Sequence, residues 1–89
     1  MTVLVKVMLK PGVLDPQGKA IAEALRRLGY GVVSDVRAGK LFRIEVDTGD
    51  PGMAKDVGAR MAEKLLANPV IENFEVLLET EGAPAGAAR

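Results

Sequence analysis

The segment that decides the fold is KPGVLDPQG, residues 10–18, which joins an alternating apolar run to an amphipathic one. Pro11 and Gly12 are typical of a turn that ends the preceding strand. Asp15 is suited to accept hydrogen bonds from the first free N–H groups of a helix, and Pro16 suits the first helical position, where no donor is needed. The segment therefore predicts a strand before it and a helix that begins at Asp15 or Pro16.

Two periodic patterns flank this segment. The odd positions from Val3 to Leu9 are all apolar, and this period of two predicts a strand with one buried face. After the turn, an apolar stripe with helical spacing predicts a first helix near residues 16–28, which Gly29 ends. The stripe consists of Ile21, Ala24, Leu25 and Leu28.

The middle of the chain predicts two further strands, over residues 31–38 and 41–47, joined by a short turn at Gly39 and Lys40. Asp50 and Pro51 repeat the cap of the first helix and predict the start of a second. Its apolar spacing is carried by Met53, Val57, Met61 and Leu65, flanked by Ala54, Ala62 and Leu66. Gly58 lies inside this helix, and we expect it to pack closely against the sheet.

The last predicted strand follows Asn68 and Pro69, which end the second helix. Its buried face is predicted to consist of Phe74, Val76 and Leu78. The resulting order, βαββαβ, predicts an α+β two-layer sandwich of ferredoxin-like order: a four-stranded, mostly antiparallel sheet with two helices on one face. We expect a single domain over residues 1–79 and a flexible C-terminal tail over residues 80–89.

The sheet face opposite the helices is predicted to carry apolar residues among charges. These residues are Leu4, Met8, Val33, Leu41 and Leu77. An apolar patch of this kind is unfavourable in water, so we expect a second copy of the chain to cover that face or a sheet edge.

Composition excludes several classes of function. The 89 residues include no Cys and no His, so no disulfide and no usual structural metal site supports the small core. The 12 basic and 12 acidic residues balance, which argues against nucleic acid or an anionic membrane as partner. No charged leader followed by an apolar segment is seen, and we expect neither a signal peptide nor a membrane span. The expected location is the cytoplasm.

The chain is also poor in catalytic residues. Ser34 is its single Ser, and it lies in no nucleophile context. The carboxylates of Glu75 and Glu79 alternate outward on a predicted strand, as on a solvated face. Arg37 and Lys40 suit either an anionic ligand or partner carboxylate, or simply a charged hairpin tip. We therefore expect no active site in this chain.

Four segments together carry a family resemblance. They are residues 10–18, LGY at 28–30, VRAGK at 36–40 and LLANPVIE at 65–72. In these segments the chain resembles the PurS family, the small subunit of phosphoribosylformylglycinamidine (FGAM) synthase, and the resemblance spans residues 3–79. It implies a non-catalytic accessory subunit in de novo purine (IMP) biosynthesis. Such a subunit joins the PurL synthetase and the PurQ glutaminase for the ATP- and glutamine-dependent conversion of FGAR to FGAM.

The resemblance further implies a homodimer or homotetramer, no cofactor bound by this chain, and ATP and Mg used by the complex. It places partner contacts on Asp15, Pro16, Gln17, Gly18, Arg37, Gly39, Lys40, Asn68 and Pro69. Two pairs among these, Asp15-Pro16 and Asn68-Pro69, are also explained as helix boundaries. Gln17 and Arg37 are less easily explained by the fold alone.

The alternative from another class is a small-molecule-binding regulatory module of the ACT type. It shares the βαββαβ order, and its ligand sites favour a Gly-bearing first loop, which residues 10–18 would supply. Effector binding measured by calorimetry separates the two hypotheses.

Overall fold

The structure is a computed structural model that describes residues 1–79, and the predicted tail over residues 80–89 lies outside the described residues. Its elements are β1 (Thr2–Leu9), α1 (Pro16–Arg27), β2 (Gly39–Glu45), α2 (Pro51–Met61), a π-helical segment (Ala62–Leu66) and β3 (Glu72–Leu78). The strands form one antiparallel sheet in the order β2-β1-β3. The α+β class is confirmed, with three strands in residues 1–79 where four were predicted.

The strand predicted over residues 31–38 is wrong, because that segment is irregular. Side chains take up several of its backbone polar groups. Arg26 donates from Nε to the carbonyl of Val33 at 2.9 Å and from Nη2 to that of Ser34 at 3.0 Å. The Ala38 N–H donates to Asp15 Oδ2 at 2.8 Å. These bonds replace part of the ladder that a strand needs. Val33 therefore does not lie on the sheet.

β2 begins earlier than predicted and without the expected turn. Gly39 and Lys40 already pair with β1, opposite Met8 and Val7, so the predicted hairpin tip does not exist. The chain instead runs directly from residues 33–38 into β2. The observed order in the described residues is therefore βαβαβ.

The core lies on one face of the sheet. Val3, Val5 and Val7 of the central strand are completely or almost completely buried, as their alternation predicted. α2 lies over β1 and β3. The inward residues of β2, Phe42 and Ile44, are half-buried at the edge of this core. The inner face of β2 is therefore less well covered than the rest of the sheet.

α2 begins at Pro51 with Asp50 as its cap, as predicted. However, its buried residues are the small Ala54 and Gly58, followed by Ala62 at the start of the π-helical segment, whereas the larger stripe predicted from the sequence is partly or largely exposed. A Cβ on Gly58 would lie 2.8 Å from Val3 Cγ1 and 3.0 Å from Val76 Cγ1. The expected close packing of Gly58 is confirmed, since small residues let the helix approach the sheet.

The π-helical segment extends this close approach. The Ala67 N–H donates to the carbonyl of Ala62 at 2.9 Å, a bond across five residues. The wider turn keeps both Ala62 and Ala67 on the buried side of the helix. The chain then reaches Asn68, where the predicted end of the helix is confirmed.

α1 confirms the predicted helix over residues 16–28 to within one residue, but contributes nothing to the main core. Gly18 and Ala22 are its buried residues, while Leu28 is 74% exposed. The molecule measures 47 × 32 × 14 Å, and its radius of gyration of 15.7 Å exceeds the value of about 12 Å expected for a compact chain of this length. The apolar stripe of α1 is thus left largely unpartnered.

Candidate partner-binding site

Asp15 lies at the centre of the predicted site. Its carboxylate accepts the Gly18 N–H at 2.9 Å through Oδ1 and the Ala38 N–H at 2.8 Å through Oδ2. The residue is only 7% exposed. The hydrogen bond from Gly18, then that from Ala38 and the nearby charge of Arg37, hold the pKa of Asp15 below its ordinary value. One carboxylate therefore caps α1 and fastens it to the residue before β2.

Gly18 allows the next contact of this junction. A Cβ at this position would lie 2.1 Å from the carbonyl oxygen of Val36. Because backbone cannot yield as a flexible side chain does, this close approach requires glycine. Gly39 is similarly restricted, since a Cβ there would lie 2.7 Å from the carbonyl oxygen of Val7. Gly18 thus allows α1 to approach Val36, and Gly39 allows β2 to approach Val7 of β1.

Arg37 closes the loop formed by residues 10–18. Its Nη2 donates to the carbonyl of Val13 at 3.1 Å and, at 3.3 Å, to that of Lys10. The side chain itself is exposed. The structure therefore gives Arg37 a role that neither sequence interpretation named, which is to fix the shape of the signature loop.

Gln17 and Lys40 both line a neighbouring pocket of about 180 Å³. Asp15, Gly39 and Glu72 also line it. Lys40 Nζ lies 3.6 Å from Glu72 Oε2, an ion pair that is longer than a hydrogen bond. Within residues 1–79 the Gln17 side chain makes no hydrogen bond. Exposed polar groups of α1 and β2 thus face the same small concavity.

Asn68 and Pro69 lie on the far side of Glu72. The Asn68 N–H donates to Glu72 Oε1 at 2.7 Å, and the Glu72 N–H returns a bond of 2.7 Å to the Asn68 carbonyl. Asn68 Oδ1 also accepts the Val70 N–H at 3.0 Å. The turn is therefore defined by its own side chains, which supports the helix-boundary interpretation of Asn68.

The structure brings most of the predicted residues together in two groups that share Glu72. Pro16 is exposed at the first position of α1, where its role as a helix start suffices. Glu72 ends the fourth signature segment but is not among the predicted contact residues. The available signal was its position four residues after Asn68, at the start of a strand.

The chemistry open to this arrangement is limited. Its ionisable groups bind backbone N–H and carbonyl groups or each other, and no His or Cys exists in the chain. In the part that the structure describes, no three His, Cys, Asp or Glu side chains are grouped so as to hold a metal ion. No helix within residues 1–79 has the length and apolar character needed to cross a membrane.

A second concavity lies beside α2. This groove of about 320 Å³ is lined by five apolar side chains and two cationic ones: Ile44, Val57, Met61, Leu65, Leu66, Arg60 and Lys64. It lies over the inner face of β2, which α2 leaves open.

Comparison with known proteins gives a consistent result. A family model described as "PurS: Phosphoribosylformylglycinamidine (FGAM) synthase" matches residues 2–80. The phosphoribosylformylglycinamidine synthase subunit PurS of Mycobacterium leprae is 49% identical over 79 residues, which are 88% of this chain and 95% of that protein. The PurS subunit of Archaeoglobus fulgidus is 44% identical over 73 residues, covering 82% of this chain and 91% of that protein.

Solved structures agree. PurS from Methanocaldococcus jannaschii, described as one of the subunits of formylglycinamide ribonucleotide amidotransferase, matches with a TM-score of 0.78 at 37% identity, over 85% of this chain and 92% of that chain. A chain of the PurLQS structure from Thermotoga maritima matches with a TM-score of 0.78 at 32% identity, over 85% of this chain and 93% of that chain.

Proposed function

The chain belongs to the PurS family of FGAM synthase subunits in purine biosynthesis, and on this premise we propose that it is a non-catalytic subunit that bridges PurL and PurQ. The observation that carries the proposal is the signature itself. Its residues tie the start of α1 to the residue before β2 and close the turn before β3, and their polar groups are occupied with backbone hydrogen bonds. A surface element of this kind suits the task of aligning two active sites.

The experiment that tests this role is glutamine-dependent amidation of FGAR by PurL-type and PurQ-type subunits, with and without this chain. We expect amidation to require the chain, while amidation driven by free ammonia depends on it much less. Equal glutamine-dependent activity without the chain, together with no complex on gel filtration, would overturn the proposal.

The nine residues named by resemblance are proposed as partner contacts, in four roles. Gln17 and Lys40 offer exposed polar groups, Arg37 and Gly39 are exposed and also fix the local chain path, and Asp15 and Gly18 support the surface from a buried position. Pro16, Asn68 and Pro69 lie at the surface as helix boundaries. The ACT-type alternative loses its main support here, because Arg37 binds the backbone of the loop that would hold an effector.

The same role implies that ATP and Mg are bound by the large subunit and that this chain binds no cofactor. It also implies the cytoplasm as the location of the chain. Equilibrium dialysis of the isolated chain with ATP and Mg²⁺ tests the first point, and saturable binding would contradict it.

We further propose a homodimer or homotetramer in which α1 covers the apolar groove of a second copy. The groove over β2 lies where a sandwich of this order would place a helix, while α1 leaves Ile21 and Leu28 exposed in its own subunit. Lys19, Arg26 and Arg27 of α1 would have to point away from Arg60 and Lys64 of the groove, since like charges repel. On the outer sheet face, by contrast, Leu4, Met8 and Leu77 are already half-buried.

A further inference from the structure

Two segments that the sequence singled out separately meet at a single carboxylate. The Glu72 side chain is only 14% exposed. Its Oε1 accepts the Asn68 N–H at 2.7 Å, and its Oε2 lies 3.6 Å from Lys40 Nζ. Glu72 therefore connects the turn before β3 to the beginning of β2, on the opposite side of the central strand.

The turn that Glu72 holds is closed at both ends. Asn68 accepts hydrogen bonds from Val70, Ile71 and Glu72. The Lys10 N–H donates to the carbonyl of Ile71 at 2.8 Å, which ties the turn to the end of β1. Val70 is nevertheless 78% exposed. An apolar side chain on a fixed turn loses little conformational freedom when a partner buries it.

Resting on the proposed function, we propose that Glu72 is a positioning residue of the partner-binding surface. Its hydrogen bond from the Asn68 N–H holds the turn that presents Val70, and its charge attracts the Lys40 ammonium group. Val70 and Lys40 together fit an apolar pocket with an acceptor oxygen at its rim, on a larger subunit of the synthase. The Lys40 ammonium group can still donate a hydrogen bond to such an acceptor, because it is exposed and its 3.6 Å ion pair with Glu72 is longer than a hydrogen bond.

Two substitutions of Glu72 separate positioning from charge. Glu72→Ala removes the acceptor for the Asn68 N–H, and we expect binding to the PurL–PurQ mixture, measured by calorimetry, to weaken about tenfold. Glu72→Gln keeps an acceptor oxygen, and we expect binding within about threefold of wild type. Amide hydrogen exchange at Asn68 should accelerate in Glu72→Ala and stay near the wild-type rate in Glu72→Gln. Val70→Ser should weaken binding without changing this exchange.

Glu75→Ala is the matched control. Glu75 lies on the same strand and also pairs with a lysine, since Glu75 Oε1 is 3.2 Å from Lys6 Nζ, but it faces the other side of the sheet. We expect it to bind within about twofold of wild type. Equal weakening by Glu75→Ala, or wild-type binding by Glu72→Ala, would overturn the positioning role.

The same titration separates this proposal from the one on which it rests. If the wild-type chain binds and supports amidation but Glu72→Ala does so equally well, only the positioning role fails. If the wild-type chain does not bind at all, the bridging role fails and the positioning role fails with it.

Discussion

Asp15 shows how one side chain can fix both local and long-range structure. A carboxylate that caps the first turn stabilises a helix, and Asp15 Oδ1 does so by accepting the Gly18 N–H. The second oxygen accepts the Ala38 N–H, from a residue 23 positions later in the chain. The carboxylate thereby sets where β2 begins relative to α1.

Asp15→Asn should change how stability depends on pH. The folded-state pKa of Asp15 lies below its ordinary value, so the ionised carboxylate favours the folded state above the unfolded pKa. This contribution is lost as the pH falls through the folded pKa. We expect the stability difference between wild type and Asp15→Asn to be largest near neutral pH and to shrink as the pH falls through the unfolded-state pKa and then through the folded-state pKa. Urea denaturation at fixed protein concentration measures it, and a constant difference would contradict the assignment.

Gly58→Ala should destabilise the protein although alanine favours helices. The added Cβ would press on Val3 and Val76 at the tightest contact between α2 and the sheet. We expect a loss of about 1–3 kcal/mol in the free energy of unfolding. Gly52→Ala is the control, because its Cβ would lie 3.5 Å from Asp50 Oδ1 in the exposed first turn. That change should be neutral or stabilise by up to about 1 kcal/mol. Equal losses would show that close packing is not the cause.

At the scale of elements, the segment over residues 31–38 depends on α1 for its conformation. Arg26 binds two successive carbonyl groups of the segment, and Gly18 lies against a third, that of Val36. α1 and this segment therefore act as one unit that is joined to the sheet near Asp15 and Arg37.

Arg26→Met should loosen this unit. Loss of the two hydrogen bonds frees the segment, and we expect trypsin to cleave after Arg37 roughly three- to tenfold faster. Arg27→Met is the matched control, since Arg27 makes no hydrogen bond or ion pair within residues 1–79. Mass spectrometry of the digest identifies the cut. Equal acceleration in both variants would argue against the role of Arg26.

The elements differ in how far the sequence could predict them. The alternation of apolar residues predicts β1, and the Asp-Pro caps predict both helix starts. Asn68-Pro69 predicts where the helical structure after α2 ends, and all of these signals act locally. The segment over residues 31–38 has the valines of a strand, but strand formation depends on a partner edge that sequence periodicity does not reveal. Sequence periodicity likewise does not reveal how close α2 lies to the sheet, and this short distance is the reason that its small residues are the buried ones. Most of the candidate site was predictable as motif residues, whereas Glu72 acts through contacts visible only in the fold.

At the scale of the whole molecule, the extended shape and the exposed stripe of α1 call for a covering surface. Leu28 is 74% exposed on α1 and Leu41 is 63% exposed on the outer sheet face. Substituting each leucine in turn therefore tests whether a second copy covers α1 or the outer sheet face.

Leu28→Ser should therefore weaken self-association, raising the dissociation constant by roughly 10- to 100-fold, because burial of one leucine side chain is lost. Leu41→Ser should leave it within about twofold. Sedimentation equilibrium measures both. The reverse result would place the second copy on the outer sheet face, and a monomeric wild-type chain would exclude self-association through either surface.

A body only 14 Å thick has almost no residue that is remote from a surface. Tolerance to substitution measured on the isolated chain should therefore greatly exceed tolerance measured in the assembled synthase. Positions that look permissive in one assay and intolerant in the other would trace the footprint of each neighbouring subunit, so that paired mutational scans would map the assembly without any further coordinates.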